Sequence, residues 1–265
     1  TILTTTYFAF LFVNFYLEIS IPDRHVDISV LAKKENKFFD PRTKIEVIND
    51  LKKKIDKGIS NLEGEVFYHT GPHHDDIMLG YLPYIIHLVR SPKNKHYFSN
   101  MTSGFTSVTN SYLLKVLEKT LSLIKSGQIQ MINYPDFFRK GYMRKKDKDV
   151  YHYLDRIASN NKDGQERGLS HRIVRALVEI ENIKSEKELI SKIKNIIKYL
   201  SACYDGEINT EKVKKLKSRI REFEEELVWA HYGVRVKDIN HMRLGFYSGD
   251  IFSQNPQRKR DVDPI

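Results

Sequence analysis

The clearest pattern along the chain is a change in the spacing of its apolar residues. Glu-Val-Phe-Tyr-His-Thr at 65–70 and His-Tyr-Phe-Ser-Asn-Met-Thr at 96–102 are short runs rich in aromatic and β-branched residues, and predict strands. Between them 84–90 predicts a helix, with Pro83 tolerated at its first position. The order strand, loop, helix, strand predicts a parallel βαβ unit, in which ligands bind outside the carboxyl ends of the strands. Farther on the period becomes helical. Leu113, Leu114, Val116, Leu117, Leu121 and Ile124 recur at helical spacing, as do Leu189, Ile190, Ile193, Ile196, Ile197 and Leu200 behind a Ser185-x-x-Glu188 capping box. Further helices are predicted over 170–183 and 210–232, the latter stopping at Gly233. The reading is an α/β protein with an all-helical insertion at about 111–220.

Charge sharpens that division. Lys and Arg number 44 against 34 Asp and Glu, a net charge of +10. Residues 111–220 hold 24 Lys/Arg and 14 Asp/Glu, so the insertion carries the whole excess and the remainder is neutral. The excess could serve nucleic acid, an acidic surface or an anionic substrate, or dock a second copy of the chain. With 265 residues, 40% hydrophobic and 29% charged, the composition suits a soluble globular protein. The single cysteine, Cys203, excludes an intrachain disulfide and fits a reducing, cytoplasmic setting. The one membrane-like run, 7–19, is shorter than the roughly 20 residues a spanning helix needs, and it lacks the basic start and cleavage site of a signal peptide. The chain opens on Thr1 and ends on Asp263-Pro264-Ile265 with no cap or tail, and reads as part of a longer protein. Residues 1–40 are read as the remnant of a preceding domain or a linker, and 41–265 as the main domain.

The chemistry concentrates at the end of the first predicted strand, in Gly71-Pro72-His73-His74-Asp75-Asp76-Ile77. Two imidazoles and two carboxylates in a row are expensive to desolvate. A bound cation is one reason to crowd them, and imidazole with carboxylate suits zinc, whose catalytic sites typically combine three protein ligands with a water. Adjacent Asp75 and Asp76 can then take different roles, because a cation relieves their mutual repulsion. The alternative from the residues alone is a solvated loop with a capping Asp.

Pro72-His73-His74-Asp75-Asp76 followed by Leu79-Gly80 resembles the Pro/Ala-His-Pro-Asp-Asp-Glu signature of the LmbE/PIG-L family, Rossmann-like zinc-dependent deacetylases of N-acetylglucosamine derivatives. Thr102-Ser103-Gly104 is similar to the Thr-x-Gly at the end of that family's second strand. Arg221-x-x-Glu224, Gly233-Val234 and Leu244-Gly245 resemble its later run. The resemblance implies a Rossmann-like, mostly parallel sheet flanked by helices. It implies His73 and Asp76 as zinc ligands, Asp75 as general base and Arg221 as a substrate-holding residue. The chain departs from the signature at His74, which replaces Pro and offers an alternative ligand, and at Ile77, which replaces an acid. No His-x-x-His-like motif, the family's source of a third ligand, follows Leu244. Residues 31–110 and 219–265 also resemble the C-terminal region of two-domain bacterial glucosamine-6-phosphate deaminase-like proteins. The implied activity is deacetylation of an N-acetylated amino sugar or sugar phosphate, and the alternative is a non-catalytic sugar-binding accessory domain.

Other residues draw blander readings. His69 reads as packing or as a partner behind the ligands, His87 and His96 as surface, and His231 as a helix-end imidazole that complements the dipole. Glu224-Glu225-Glu226 reads as a helix face. Ser170-His171 lacks the oriented third group of a nucleophilic pair. No Gly-x-Gly-x-x-Gly or Walker motif is present, which argues against dinucleotide or ATP use. The run Arg139-Lys140-Gly-Tyr-Met-Arg144-Lys145-Lys146 carries cations around an aromatic but no RNA-binding signature, so a solvated loop is favoured over nucleic acid.

Overall fold

A computed structural model describes residues 41–60, 62–247, 254–263 and 265. The expected remnant at 1–40, with its apolar run at 7–19, lies outside the described residues. The chain divides between Glu63 and Gly64 into two units. In the first, helix α1 (Pro41–Ile59) places Ile48, Leu51 and Ile55 at helical spacing among lysines.

In the second unit β1 (Val66–Gly71), α2 (His74–Val89) and β2 (Lys95–Asn100) follow one another. Then come α3 (Asn110–Lys125), α4 (Lys146–Ala158), α5 (Lys162–Glu181), α6 (Glu186–Leu200) and α7 (Glu211–His231), before the short strand β3 (Ile239–His241). The sheet has the order β1-β2-β3, and both pairings are parallel. Register aligns the three carboxyl ends, with Gly71 opposite Asn100 and Asn100 opposite His241. The molecule is therefore a mixed α/β protein with a small parallel sheet flanked by helices, and everything described between β2 and β3 is helical or turn. Among the described residues no helix is long and apolar enough to cross a membrane.

Local chemistry explains where the elements differ from expectation. Helix α2 begins at His74, not near residue 84, because Asp75 and Asp76 favour the positive end of a helix and open its first turn. It kinks at Tyr81 (φ −156°, ψ 30°), two residues before Pro83, which has no N–H to donate and whose ring would press on the preceding turn. Of the expected capping box before α6 one half forms, and the reciprocal bond goes to the residue before the cap. Ser185 accepts from the Glu188 N–H at 3.3 Å, while the Glu188 carboxylate accepts from the Lys184 N–H at 2.9 Å. Helix α4 carries Val150, Tyr153, Leu154 and Ile157 at helical spacing among its charges, a period the sequence reading passed over, and its buried residues are Asp149 and Val150. Strand β3 spans three residues and leaves almost no pattern.

Helix α7 contributes to three cores, the smallest of them Phe223 and Ala230 with Val150 and Val236. Toward its start, Val213, Leu216 and Ile220 join Leu113, Leu117, Val174, Leu177 and Ile193 of the helical layer. Toward its end, Trp229 joins Ile77, Ile85, Phe98 and Ile239 of the sheet layer, its ring stacked on Phe98 at 4.1 Å between centroids. Helix α7 thereby ties the helical layer to the sheet and carries Arg221 to the strand ends.

Candidate metal centre

His73 is the N-cap of α2, directly beyond the end of β1. Its backbone N–H donates to Asp76 Oδ2 at 3.0 Å, and its Nδ1 lies 3.3 Å from the same oxygen. Ligand atoms of His73, Asp75 and Asp76 all lie within 4.8 Å of one another. The position is held from below. Thr102 fixes the turn by donating its N–H (2.9 Å) and its hydroxyl (3.0 Å) to the Pro72 carbonyl. Two glycines make room. A Cβ on Gly71 would sit 2.7 Å from Ile77 Cγ1, and one on Gly104, where φ is +63°, would sit 3.0 Å from His73 Cδ2. Tyr247 closes the other side of the imidazole, edge-on at 4.9 Å between centroids, and shares a 2.7 Å hydrogen bond with Thr106.

Asp76 serves as a helix cap whether or not a cation binds. The cap does not account for His73 Nε2, which is buried without a hydrogen-bond partner, nor for Asp75. Asp75 accepts from Arg221 at 3.0 Å, and Arg221 reaches Glu224 at 2.6 Å with its other terminal nitrogen. The Arg-x-x-Glu pair therefore orients a guanidinium onto the motif across the gap between α7 and α2. Its Nε is also buried and unpartnered. Sequence reasoning placed His73, Asp75, Asp76 and Arg221 in one site, and the fold brings all four together. An imidazole whose Nδ1 lies against Asp76, grouped with two half-exposed carboxylates, is a donor set that fits a divalent cation.

His74 stands apart from the three-donor cluster. It is buried and lines a tiny internal cavity with Asn100, Glu222, Glu225 and His241. Burial first, then the charge of Arg221, push its pKa down to about 4.

The neighbourhood of that cavity was missed by sequence reasoning. Of the acid triplet on α7, Glu225 and Glu226 are buried, 1% and 3% exposed. Glu225 accepts from Asn100 and from the Trp229 indole, and both glutamates contact His241. Glu226 also pairs with Arg172, and Glu222 with Arg219 and Arg243. Burial alone would lower the His241 pKa, but Glu225, Glu226 and Glu222 outweigh it and push it up to about 9. For Glu222 burial works upward, and Arg243, His241 and Arg219 hold the carboxyl down at about 2. The only sequence signal was the acid triplet itself, whose partners lie on distant elements.

The remaining candidates are structural. His69 packs in the sheet 3.1 Å from His96, which is buried and not on the surface because its ring stacks against Phe67 and His69. Ser170 is buried and accepts from Thr120 at 3.0 Å, so its hydroxyl serves helix packing. Cys203 donates to the Tyr199 carbonyl.

Beside the centre lies a cavity of about 630 Å³, whose lining includes Phe105, Lys215, Arg219, Arg243 and Tyr247. Tyr247 both touches His73 and lines this cavity. Compared with protein-family models, curated proteins and solved structures, the chain matches none.

Proposed function

We propose that the chain is a Rossmann-like, metal-dependent amide hydrolase domain that deacetylates an N-acetylated amino sugar, with a basic helical insertion at about 111–220. The observation that carries this reading is the meeting of His73, Asp75 and Asp76 at the strand end, with Nε2 of His73 left without a partner. His73 and Asp76 would hold the cation, zinc by the chemistry of the donors. When bound, such a cation supplies Lewis acidity toward the amide carbonyl and toward water. Asp75, oriented by Arg221, takes the proton of the attacking water and returns it to the departing nitrogen. The amide C–N bond breaks to acetate and a free amine. Tyr247 and Phe105 give a sugar ring an apolar wall, and Lys215 offers a cation to an anionic group such as a phosphate ester, Arg219 and Arg243 being paired with Glu222 and Glu179. A cytoplasmic setting accords with the lone cysteine.

Acetate release from N-acetylglucosamine and its 6-phosphate by the zinc-loaded chain tests the reading. Wild type is expected to turn over, and Asp75→Ala to lose activity by roughly 10²–10⁴-fold. Undiminished release by Asp75→Ala would refute it.

A second reading draws on the Asp75–Arg221 bridge, which occupies one of the three donors. If that bridge keeps Asp75 from the attacking water, the chain would be an accessory domain that binds an amino sugar without cleaving it. Sugar binding with no metal and no acetate release favours that reading.

A further inference from the structure

The basic run before α4 has a place in the fold that the hydrolase reading does not use. The turns at Gln130–Asn133 and Gly141–Met143 and the faces of α4 and α5 enclose a groove of about 740 Å³. Its lining includes Tyr134, Arg144, Lys145, Lys148, Arg167 and Arg175. The two acids in the lining are already matched, Asp136 to Arg144 at 2.7 Å and Asp149 to Arg175 at 2.6 Å. Lys145, Lys148 and Arg167 have no ion-pair partner among the described residues, and exposed His152 stands in the same wall. Like charges gathered with no counter-charge repel one another, and an anion from outside relieves that repulsion. The groove also sits in the segment that carries the molecule's entire +10 excess.

Two features select the kind of anion. The volume far exceeds what a single phosphate fills, so the ligand is extended. Tyr134, 65% exposed, lies in the lining beside the cations with Met131 and Pro135. An exposed aromatic face next to a row of cations suits a base stacked above its own phosphates. An acidic peptide would leave that face unused. The geometry points to a binding groove for single-stranded nucleic acid, with Lys145, Lys148 and Arg167 on the phosphates and Tyr134 under a base.

Fluorescence anisotropy of a labelled oligouridine 20-mer with the full 265-residue chain tests this. Three phosphate contacts predict an affinity that falls with salt at a log–log slope near about −2. The triple variant Lys145→Ala/Lys148→Ala/Arg167→Ala should bind at least ~10-fold more weakly with a flatter slope. Tyr134→Ala should weaken binding while keeping the wild-type slope. Arg139→Ala/Lys140→Ala, which removes exposed cations outside the lining, should bind like wild type. Circular dichroism identical to wild type shows each variant folded. The proposal is overturned if no complex forms at low salt, if the triple variant binds as wild type does, or if polyglutamate competes as well as unlabelled oligouridine.

Discussion

At the scale of single residues, the candidate centre depends on how closely His73 is confined. Gly104 lies against its ring with a backbone conformation that an L side chain rarely adopts. Gly104→Ala should destabilise the fold by about 1–2 kcal/mol, measured by urea denaturation, and weaken zinc binding measured by calorimetry. An unchanged zinc affinity would show that the ring is not held from that side. His241 makes a second prediction. Its pKa rises from 6.5 to about 9 on folding, so its contribution is complete below pH 6.5 and is lost as pH climbs through 9. His69 runs the other way. Burial and His96 push it down to about 4, so its contribution is present above pH 6.5 and fades as pH falls toward 4. Denaturation midpoints should therefore decline from pH 6.5 to 9. The gap between wild type and His241→Gln should be full below pH 6.5 and close as pH climbs through 9. A gap that widens with pH would contradict the assignment of a charged His241.

At the scale of elements, α7 is the beam on which the site rests. One face presents Arg221 to Asp75, and two turns later Trp229 stacks on Phe98 in the middle strand. Trp229→Ala should cost about 3–5 kcal/mol and loosen α7 from the sheet, read as a fall in chemical stability and in near-ultraviolet ellipticity of the remaining aromatics. A loss below about 1 kcal/mol would mean that α7 is anchored elsewhere. Elements with an apolar period were legible in the sequence: α3, α6 and α7 follow from their leucine and isoleucine spacing. Those held by long-range partners were not. Strand β3 is held by pairing with β2, and the Asp149 carboxylate of α4 by accepting from Arg175. No local pattern encodes those contacts.

At the scale of the whole molecule, the two layers divide the labour. The strand ends collect the donors, and the helical layer supplies Arg221 and most of the charge. The motif residues were legible because the turn after a parallel strand is local, whereas Arg221 was singled out only by the resemblance of its Arg-x-x-Glu run. The acid cluster of Glu222, Glu225 and Glu226 was opaque, since apart from Arg219 its matching cations and imidazole come from α5 and from beyond α7. Buried pairs of this kind gain their ions' attraction only against a large desolvation penalty, so they fix the docking of α7 more than they add stability.

The central claim is that a divalent ion is held at the tip of β1 by His73 and Asp76. Metal content of the purified full chain after zinc loading and gel filtration tests it most directly, with His73→Ala/Asp76→Ala beside it. The account predicts close to one zinc per wild-type chain and none above background in the double variant. A metal-free wild type, or equal zinc in both proteins, would contradict it.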